Sequence, residues 1–305
     1  MKIAILTSGG DSQGMNLALK GALDRATAKN IELYKVRRGY EGLIDDEISL
    51  FDYTDIVGRE NDGGSAIMIS RSSRFLQKKY QKIAIENLRS KDINYLIVVG
   101  GNGSFRGAID LIKLGLNVIC VPGTVDNDLN FDTTLGFDSA ANNAISAIDN
   151  ILDCTSSIGA GVAVEVMGRE SGDLAEYVGK ALNAEYVLTR DTLIDYKEIA
   201  KIIKKYLSIG VINPLIIVQE KFIDLKDFVE KIEEYTKYKF KSQVLGYIQR
   251  GGRPSAYDRV YGYELGVRAV DLLLANINNV AIGRLNGELV TQDIEKSLNS
   301  KTKFM

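Results

Sequence analysis

The sequence predicts an α/β fold made of two similar halves, each a doubly wound parallel sheet, with a cleft between them. Short apolar runs alternate with longer amphipathic segments, which is the pattern of repeated strand–helix units. The alternation restarts after Asp153, which indicates a second half. With 305 residues, of which 45% are hydrophobic and 26% charged, the chain can bury a core in each half.

The bulk composition excludes several classes of protein. A net charge of −2 disfavours a nucleic-acid binder that depends on bulk attraction. We expect no membrane segment, because no stretch reaches eighteen apolar residues, and the short N-terminal apolar run is broken by Gly9 and Gly10. The two cysteines, Cys120 and Cys154, form no disulfide framework or zinc pattern, which favours a reducing, cytoplasmic location.

Histidine is absent from the sequence. Acid–base chemistry must therefore use carboxylates, lysine, tyrosine or water, and imidazole metal sites are excluded.

Three predicted strands each end in a turn that could hold a ligand. The strands at 3–6 and 95–99 run into glycine-rich turns at 8–14 and 100–104, and a helix follows each turn. Glycines let backbone N–H groups approach an anion, and a helix N-terminus adds a favourable dipole. A tight turn without a ligand is the alternative. Three such turns at one end of a parallel sheet would converge on one crevice.

The third strand, at 118–121, stops at Pro122 and Gly123, and Thr124, Asp126 and Asp128 follow. Two carboxylates two residues apart on a rigid turn can share a pocket. One of them could hold a cation while the other accepts a proton. The alternative is a solvated acidic turn.

The remaining elements continue the alternation. Further strands are predicted at 33–36, 162–166, 186–188, 215–218 and 244–248, and helices at 15–28, 80–90, 102–114, 137–153, 194–207, 225–238 and 257–275. A further helix is predicted to follow the glycine turn at 167–173. A glycine-opened polar loop carries Arg71 and Arg74, and guanidinium groups bind phosphate oxygens in a bidentate manner. Two nucleotide-binding classes are disfavoured. The P-loop motif does not occur, and the glycines after residue 99 miss the dinucleotide-binding spacing by one residue.

Seven ordered motifs together make the chain resemble the ATP-dependent 6-phosphofructokinases. They are LTSGGDSQGMN, RRGYEGL, VVGGNGSFRGA, VPGTVDNDL, LGFDSA, VEVMGRESGDLA and LGYIQRGGRPSAYDR. The resemblance implies two Rossmann-like domains, with an ATP-binding domain at 1–137 plus 252–305 and a sugar-phosphate-binding domain at 138–251. It also implies a homo-oligomer, by resemblance a tetramer.

The resemblance implies ATP and Mg²⁺ as cofactors and a function for many residues. The implied ATP contacts are Gly10, Tyr40, Arg71, Gly101, Asn102, Gly103, Ser104 and Gly107. The implied catalytic residues are Asp126 as general base on the sugar 1-hydroxyl, Thr124, Arg71, Arg169 and the Gly10 N–H. The implied sugar-phosphate contacts are Thr124, Asp126, Met167, Gly168, Arg169, Glu220, Lys241, Tyr247 and Arg250. The implied metal positions are Asp128 and Asn102.

Glycine at positions 103 and 123 resembles the ATP-using branch of the family, since the pyrophosphate-using branch typically has Asp and Lys there. Four other positions depart from the family pattern. Asn102 replaces an acid, Ala160 and Lys241 replace arginines, and Tyr247 replaces a histidine. We therefore expect weakened binding of fructose 6-phosphate, because hydrogen bonds to charged groups contribute roughly 1.5–3 kcal/mol each.

The effector positions depart further. Residues that are basic in allosteric bacterial members are here Asp24, Tyr53, Leu152, Ile209 and Val211, while Lys20 and Glu185 match. We expect no response to ADP or phosphoenolpyruvate.

The sequence thus predicts ATP-dependent phosphoryl transfer to the 1-hydroxyl of fructose 6-phosphate, a step of glycolysis, without allostery. A non-catalytic regulatory paralogue and a kinase for another sugar acceptor are the alternatives.

Overall fold

The computed structural model describes residues 1–299. In chain order the strands are β1 (Lys2–Ser8), β2 (Glu32–Val36), β3 (Ile48–Leu50), β4 (Tyr95–Gly100), β5 (Asn117–Pro122), β6 (Gly161–Val166), β7 (Tyr186–Leu188), β8 (Leu215–Gln219), β9 (Phe240–Val244), β10 (Val280–Leu285) and β11 (Glu288–Asp293). The helices are α1 (Met15–Ala28), α2 (Gly39–Ile44), α3 (Lys78–Arg89), α4 (Asn102–Lys113), α5 (Phe137–Ser157), α6 (Asp173–Ala181), α7 (Tyr196–Ser208), α8 (Leu225–Thr236), α9 (Ala256–Leu274) and α10 (Ile294–Ser297).

The chain divides into two compact units. The first unit comprises Met1–Asp138 together with the chain from Gly251 onward, and the second comprises Ser139–Arg250. Each unit has its own sheet, and the predicted α/β class with parallel sheets is confirmed.

The sheet of the first unit has the strand order β11-β10-β5-β4-β1-β2-β3. Its inner strands are parallel, whereas β3 and β11 pair antiparallel at the two edges. The registers align Ser8 with Gly100 and Gly100 with Pro122. The turns that leave β1, β4 and β5 therefore start side by side at one end of the sheet, as the sequence predicted.

Side chains that alternate along the strands build a core on each face of this sheet. Ile3 and Ile5 of β1 belong to the cluster that contains α1 and α9, while Ala4 and Leu6 belong to the cluster that contains α2, α3 and α4. All four side chains are fully buried. A parallel strand covered on both faces reads as a continuous apolar run, and this explains why β1, β4 and β5 were visible in the sequence.

The sheet of the second unit is parallel, with the order β7-β8-β6-β9. Ala163, Ile216 and Val218 pack in one cluster with apolar residues of α7 and α8. The side chains of Asp195 and Asp224 accept backbone N–H groups at the starts of these two helices, which explains where both helices begin.

The prediction of a strand at 244–248 is wrong. The observed strand is β9, which ends at Val244, and Gly246–Gln249 forms a short 3-10 helix. Val244 and Ile248 are 61% and 60% exposed, so their apolar character does not mark a buried strand. Because β9 lies at the sheet edge, its exposed residues give no apolar run, and the local pattern misplaced it.

Five elements have no counterpart in the prediction, namely α2, β3, β10, β11 and α10. No helix within residues 1–299 is both long and apolar enough to cross a membrane.

Candidate active site

The turn after β5 is held rigidly by backbone and side-chain hydrogen bonds. The Thr124 N–H donates to the carbonyl of Leu135 at 3.1 Å, and the Thr134 hydroxyl donates to the carbonyl of Thr124 at 2.6 Å. The Asn127 side chain accepts the N–H of Thr134 at 3.0 Å from a left-handed backbone with φ of 51°. Residues 124–127 are thus clamped against residues 134–135.

Asp126 lies inside this clamped turn. Asp126 is only 5% exposed, and its backbone N–H donates to the Thr124 hydroxyl at 3.2 Å. A carboxylate in such a place has little freedom to turn toward bulk water, so it can act as a positioned base. Asp128 lies two residues further on and is half-buried.

The start of α4 adjoins the same turn. A Cβ placed on Gly101 would lie 3.1 Å from the Cβ of Thr124, so the Thr124 side chain packs closely over Gly101. A Cβ on Gly103 would meet no atom within 4 Å. The first turn of α4 therefore packs against the Thr124 turn on one side and faces open space at Gly103.

Tyr40 supports α4 from within the core. Its hydroxyl donates to the Ser104 carbonyl at 2.6 Å, and its ring stacks on Phe75 with centroids 4.2 Å apart. Burial raises the pKa of Tyr40 well above its usual range, so the hydroxyl stays protonated and can donate. A Cβ on Gly107 would lie 2.9 Å from this ring, and only glycine fits there without displacement.

The turn after β1 contacts both α4 and the arginine loop. Gly9 has a φ of 95°, a Cβ on it would lie 3.4 Å from the Ser104 hydroxyl oxygen, and its N–H donates to the Ser70 carbonyl at 3.4 Å. Gly10, the predicted ATP contact, follows directly and is partly exposed. The β1 turn, the start of α4 and the segment before Arg71 are therefore neighbours.

The structure distinguishes the two loop arginines. Arg74 pairs with Glu41 and with Asp45, the latter at 2.9 Å, and both carboxylates have their pKa lowered, first of all by this guanidinium. Arg71 is exposed and makes no ion pair within residues 1–299. Arg74 is thus committed to the fold, while Arg71 is available for a ligand.

The two predicted metal positions, Asp128 and Asn102, differ in the kind of oxygen atom that each side chain offers to a metal ion. Asp128 supplies a hard carboxylate oxygen, the ligand type that Mg²⁺ prefers. The Asn102 amide oxygen instead accepts a hydrogen bond from Nε of Arg106 at 2.9 Å. Within the described residues, no three Asp, Glu or Cys side chains gather closely enough to hold a metal ion by themselves. Asp128 could therefore hold an ion only together with oxygen ligands from a bound molecule or from water.

In the second unit the end of β6 carries Met167, Gly168 and Arg169. Arg169 is exposed and left-handed, with φ of 48°. Its N–H donates to a Glu220 carboxylate oxygen at 3.1 Å, and its carbonyl accepts from the Gln219 side chain at 2.7 Å. Both partners stand at the end of β8, so the strained backbone of Arg169 is held by the neighbouring strand.

Arg250 and Tyr247 belong to the same end of this sheet. The Gln249 side-chain oxygen accepts the Met167 N–H at 3.1 Å, and the Arg250 guanidinium lies 5.7 Å from the centre of the Tyr247 ring. Tyr247 is 82% exposed. These residues are brought together with Arg169 and Glu220.

Lys241 is not brought together with them. It pairs in register with Val162 near the start of β6, five residues before Met167. At about 3.3 Å per residue, Lys241 lies roughly 16 Å from that end of the sheet. Ala160, directly before β6, is 1% exposed and lies at the same end as Lys241.

Sequence reasoning missed several supporting residues. Thr134 and Gln249 act through hydrogen bonds to distant backbone, and no local spacing marks such a role. Arg106 could have been found, because its spacing of four from Asn102 places both side chains on one helix face.

Glycine-rich turns at the carboxyl ends of parallel strands are typical of α/β proteins that bind phosphorylated ligands there. The chain belongs to the phosphofructokinase family, because the family model for phosphofructokinase matches residues 2–273. It is 40% identical over 304 residues to an "ATP-dependent 6-phosphofructokinase" of Sulfurihydrogenibium sp., covering 98% of this chain and 94% of that protein. A Clostridium tetani protein of the same name is 39% identical over 309 residues, covering 99% and 95%.

Solved structures agree with this family assignment. Phosphofructokinase from Saccharomyces cerevisiae superposes with a TM-score of 0.91 at 29% identity over 97% of this chain, which spans 45% of that chain's length. A pyrophosphate-dependent phosphofructokinase from Marinobacter aquaeolei has a TM-score of 0.86 at 22% identity, covering 98% of this chain and 84% of that one, which shows a shared fold.

Proposed function

We propose that this chain transfers the γ-phosphoryl group of ATP to the 1-hydroxyl of fructose 6-phosphate, as a 6-phosphofructokinase of glycolysis. The full-length relatives named ATP-dependent 6-phosphofructokinase support the reaction. The observation that carries it is Asp126, a buried carboxylate on a clamped turn that adjoins the glycine-rich start of α4.

In this proposal Asp126 accepts the proton of the sugar 1-hydroxyl. The sugar oxygen then bonds to the γ-phosphorus as the bond to the leaving oxygen of ADP breaks, so no further reactant is required. Thr124 fixes the backbone of Asp126 through its hydroxyl and lies beside the transferring group. A positioned general base contributes about 10²–10⁴-fold to such a step.

Charge on the transferring group is stabilised in this proposal by Arg71, by Arg169 and by the Gly10 N–H. Arg71 makes no ion pair with any carboxylate of the described chain, so no internal contact has to break before it binds phosphate. Arg169 has its backbone held by Glu220 and Gln219, and a held backbone limits the positions that its side chain can reach.

Magnesium, when bound with the nucleotide, neutralises phosphate charge, and Asp128 is the residue we assign to it. The nucleotide itself is assigned to the first turn of α4. Open space at Gly103 leaves room for a nucleotide, and Tyr40 acts as a positioning residue through Ser104. Gly123 is enclosed by Met15 and Val99, each 3.0 Å from a built Cβ, so a longer side chain would not fit there without displacement.

The sugar-phosphate side is assigned to Met167, Gly168, Arg169, Glu220, Tyr247 and Arg250. Lys241 lies at the other end of its sheet, too far to reach the same small molecule in the same chain. We therefore assign Lys241 to the site of a second copy. This assignment supports a homo-oligomer, by resemblance a tetramer.

The oligomer is tested by light scattering after size exclusion and by mixing two inactive variants. An Asp126→Asn chain and a Lys241→Ala chain, refolded together, should regain part of the wild-type activity if each supplies what the other lacks. A monomer in solution, or no recovery on mixing, would contradict the assignment.

A second candidate reaction is phosphoryl transfer to a sugar that lacks the 6-phosphate. The specific observation is Ala160, which is buried and uncharged where the family has an arginine. The decisive experiment measures ADP release against a panel of sugars and sugar phosphates, with Asp126→Asn as the test variant and exposed Asp149→Asn as the matched control. Fructose 6-phosphate as best acceptor supports the proposal, another acceptor supports the second candidate, and no turnover supports a regulatory paralogue.

A cytoplasmic location completes the proposal. Both cysteines are free, Cys120 buried and Cys154 exposed, as is usual for a reducing compartment.

We also propose that the enzyme is not regulated at the family's effector positions. Lys20 donates to both Asp24 carboxylate oxygens at 2.6–2.7 Å, and the hydroxyls of Tyr53 and Tyr263 donate to the same carboxylate. Burial alone would raise the pKa of Asp24, but these hydrogen bonds lower it, so the acid is ionised at neutral pH. The charge of Lys20, the basic effector position that matches the family, is thus neutralised by Asp24. Lys20 is therefore a weak site for an effector phosphate.

A further inference from the structure

The pairing of Asn102 with Arg106 has a consequence for how the nucleotide's charge is balanced. This inference rests on the proposed function, because it concerns the nucleotide assigned to the start of α4. The Asn102 amide oxygen accepts the Nε–H of Arg106 at 2.9 Å. That oxygen is the only metal-ligating atom of the Asn102 side chain, since the amide nitrogen is a donor.

A guanidinium in this position disfavours a metal ion at Asn102. An ion bound to the amide oxygen would lie within a few ångströms of the positive charge of Arg106, and like charges at that range repel. An amide is also a weaker ligand for a hard cation than a carboxylate. The donor set therefore disagrees with magnesium at this residue.

The charge of Arg106 is not balanced elsewhere in the described chain. Arg106 is exposed and makes no ion pair within residues 1–299, and the first turn of α4 contains no acidic residue. The N-cap, Gly101, contributes no side-chain hydrogen bond. By contrast, Lys113 at the far end of the same helix has Asp110 at 4.0 Å.

The direction of the Arg106 side chain suits a phosphate ligand. Side chains of an α-helix lean toward its N-terminus, and the hydrogen bond to Asn102 holds Arg106 in that direction. Nε is used by Asn102, which leaves the two terminal nitrogens to donate, and a planar guanidinium binds phosphate oxygens with such pairs of N–H groups. Gly103, which faces open space, lies between Asn102 and Arg106 in the sequence.

We propose that Arg106, held by Asn102, binds a phosphate group of the nucleotide, and that Asn102 is not a magnesium ligand. Asn102 offers no carboxylate to a metal ion, whereas Arg106 binds phosphate directly in this proposal. Nucleotide binding by this protein should consequently depend less on magnesium than binding at a site built with an acid at position 102.

The test measures binding of a non-hydrolysable ATP analogue by calorimetry, in excess EDTA and in excess MgCl2, without sugar phosphate. Arg106→Gln should weaken metal-free binding about tenfold, as expected for the loss of a charged hydrogen bond, and should weaken binding with magnesium less. Arg106→Lys should retain part of the affinity. Lys113→Gln, which removes the same charge from the other end of α4, should leave both affinities unchanged.

Two further variants test the role of Asn102. Asn102→Ala should keep the benefit of magnesium, since no metal ligand is lost. Asn102→Asp combined with Arg106→Gln should increase the ratio of metal-free to magnesium-bound dissociation constants above that of the wild type. An unchanged metal-free affinity in Arg106→Gln, or loss of the magnesium benefit in Asn102→Ala, would overturn the inference.

The proposed reaction can fail without deciding this inference. A wild-type chain that binds the analogue but phosphorylates no fructose 6-phosphate refutes the reaction alone. A wild-type chain that binds no nucleotide in either buffer refutes both.

Discussion

The Tyr40 hydroxyl donates a hydrogen bond of 2.6 Å to the backbone carbonyl of Ser104, across 64 positions of the sequence. The bond is buried and joins α2 to the first turn of α4. The start of α4 is therefore positioned by a residue that need not touch the nucleotide itself.

Tyr40→Phe should lower the free energy of unfolding by about 1–3 kcal/mol, because the Ser104 carbonyl loses its buried donor. The KM for ATP should rise while kcat changes less, since the start of α4 loses support but the base is untouched. Urea unfolding and initial rates measure the two effects. Tyr34→Phe removes a hydroxyl that serves an exposed Glu32 and is the control. Equal effects of both variants would contradict a positioning role.

Gly107→Ala should destabilise the protein by about 1–3 kcal/mol, since the new methyl group would lie 2.9 Å from the Tyr40 ring. This effect opposes the gain of about 1 kcal/mol in helix propensity that alanine brings. Gly103→Ala, in the same helix but facing open space, should be neutral or stabilising. Chemical denaturation of the pair is the measurement, and a neutral Gly107→Ala would show that Tyr40 can move away.

Asp126→Asn should reduce kcat about 10²–10⁴-fold and change the KM for ATP little, because the amide keeps the shape but accepts no proton. Asp149→Asn, on the exposed face of α5, should leave both constants unchanged. Steady-state assays with saturating acceptor distinguish the two variants. Wild-type turnover in Asp126→Asn would remove the residue from the role of base.

The pair of Arg74 with Glu41 should make stability depend on pH in the acidic range. The hydrogen bond from Arg74 lowers the pKa of Glu41, against burial that raises it. The stabilisation is therefore complete above the ordinary glutamate pKa, and it is lost as the pH falls through the lowered pKa. Because the Arg74 side chain is 36% exposed, solvent screening keeps this contribution small.

Glu41→Gln tests this dependence. The variant should lose most stability at neutral pH. The difference in stability from the wild type, followed by thermal unfolding, should shrink toward acid pH. Glu234→Gln, an exposed position on α8, is the control. A constant difference at every pH would mean that the ion pair does not stabilise the fold.

ADP and phosphoenolpyruvate should leave the dependence of rate on fructose 6-phosphate unchanged, because Lys20 is paired with Asp24. Dose-response curves at subsaturating fructose 6-phosphate measure this. Activation by ADP or inhibition by phosphoenolpyruvate would refute the prediction.

Some elements were readable from the sequence for a clear physical reason. Strands β1, β4 and β5 are buried on both faces, so their apolar runs and terminal glycines were sufficient to locate them. Strand β9 was misplaced because it is an edge strand whose residues after Phe240 are exposed. Strands β10 and β11 were missed as well, and β11 is an edge strand with little buried surface.

The amino-acid sequence by itself determined the α/β class, the glycine turns and the acid at Asp126, because these depend on local spacing and on motifs. The tertiary structure alone decided that Arg71 makes no internal ion pair while Arg74 is paired, and that Lys241 lies far from Met167. Such facts depend on contacts between residues distant in sequence, and on the end of a strand at which a residue stands. Neither is encoded in the pattern of neighbouring residues.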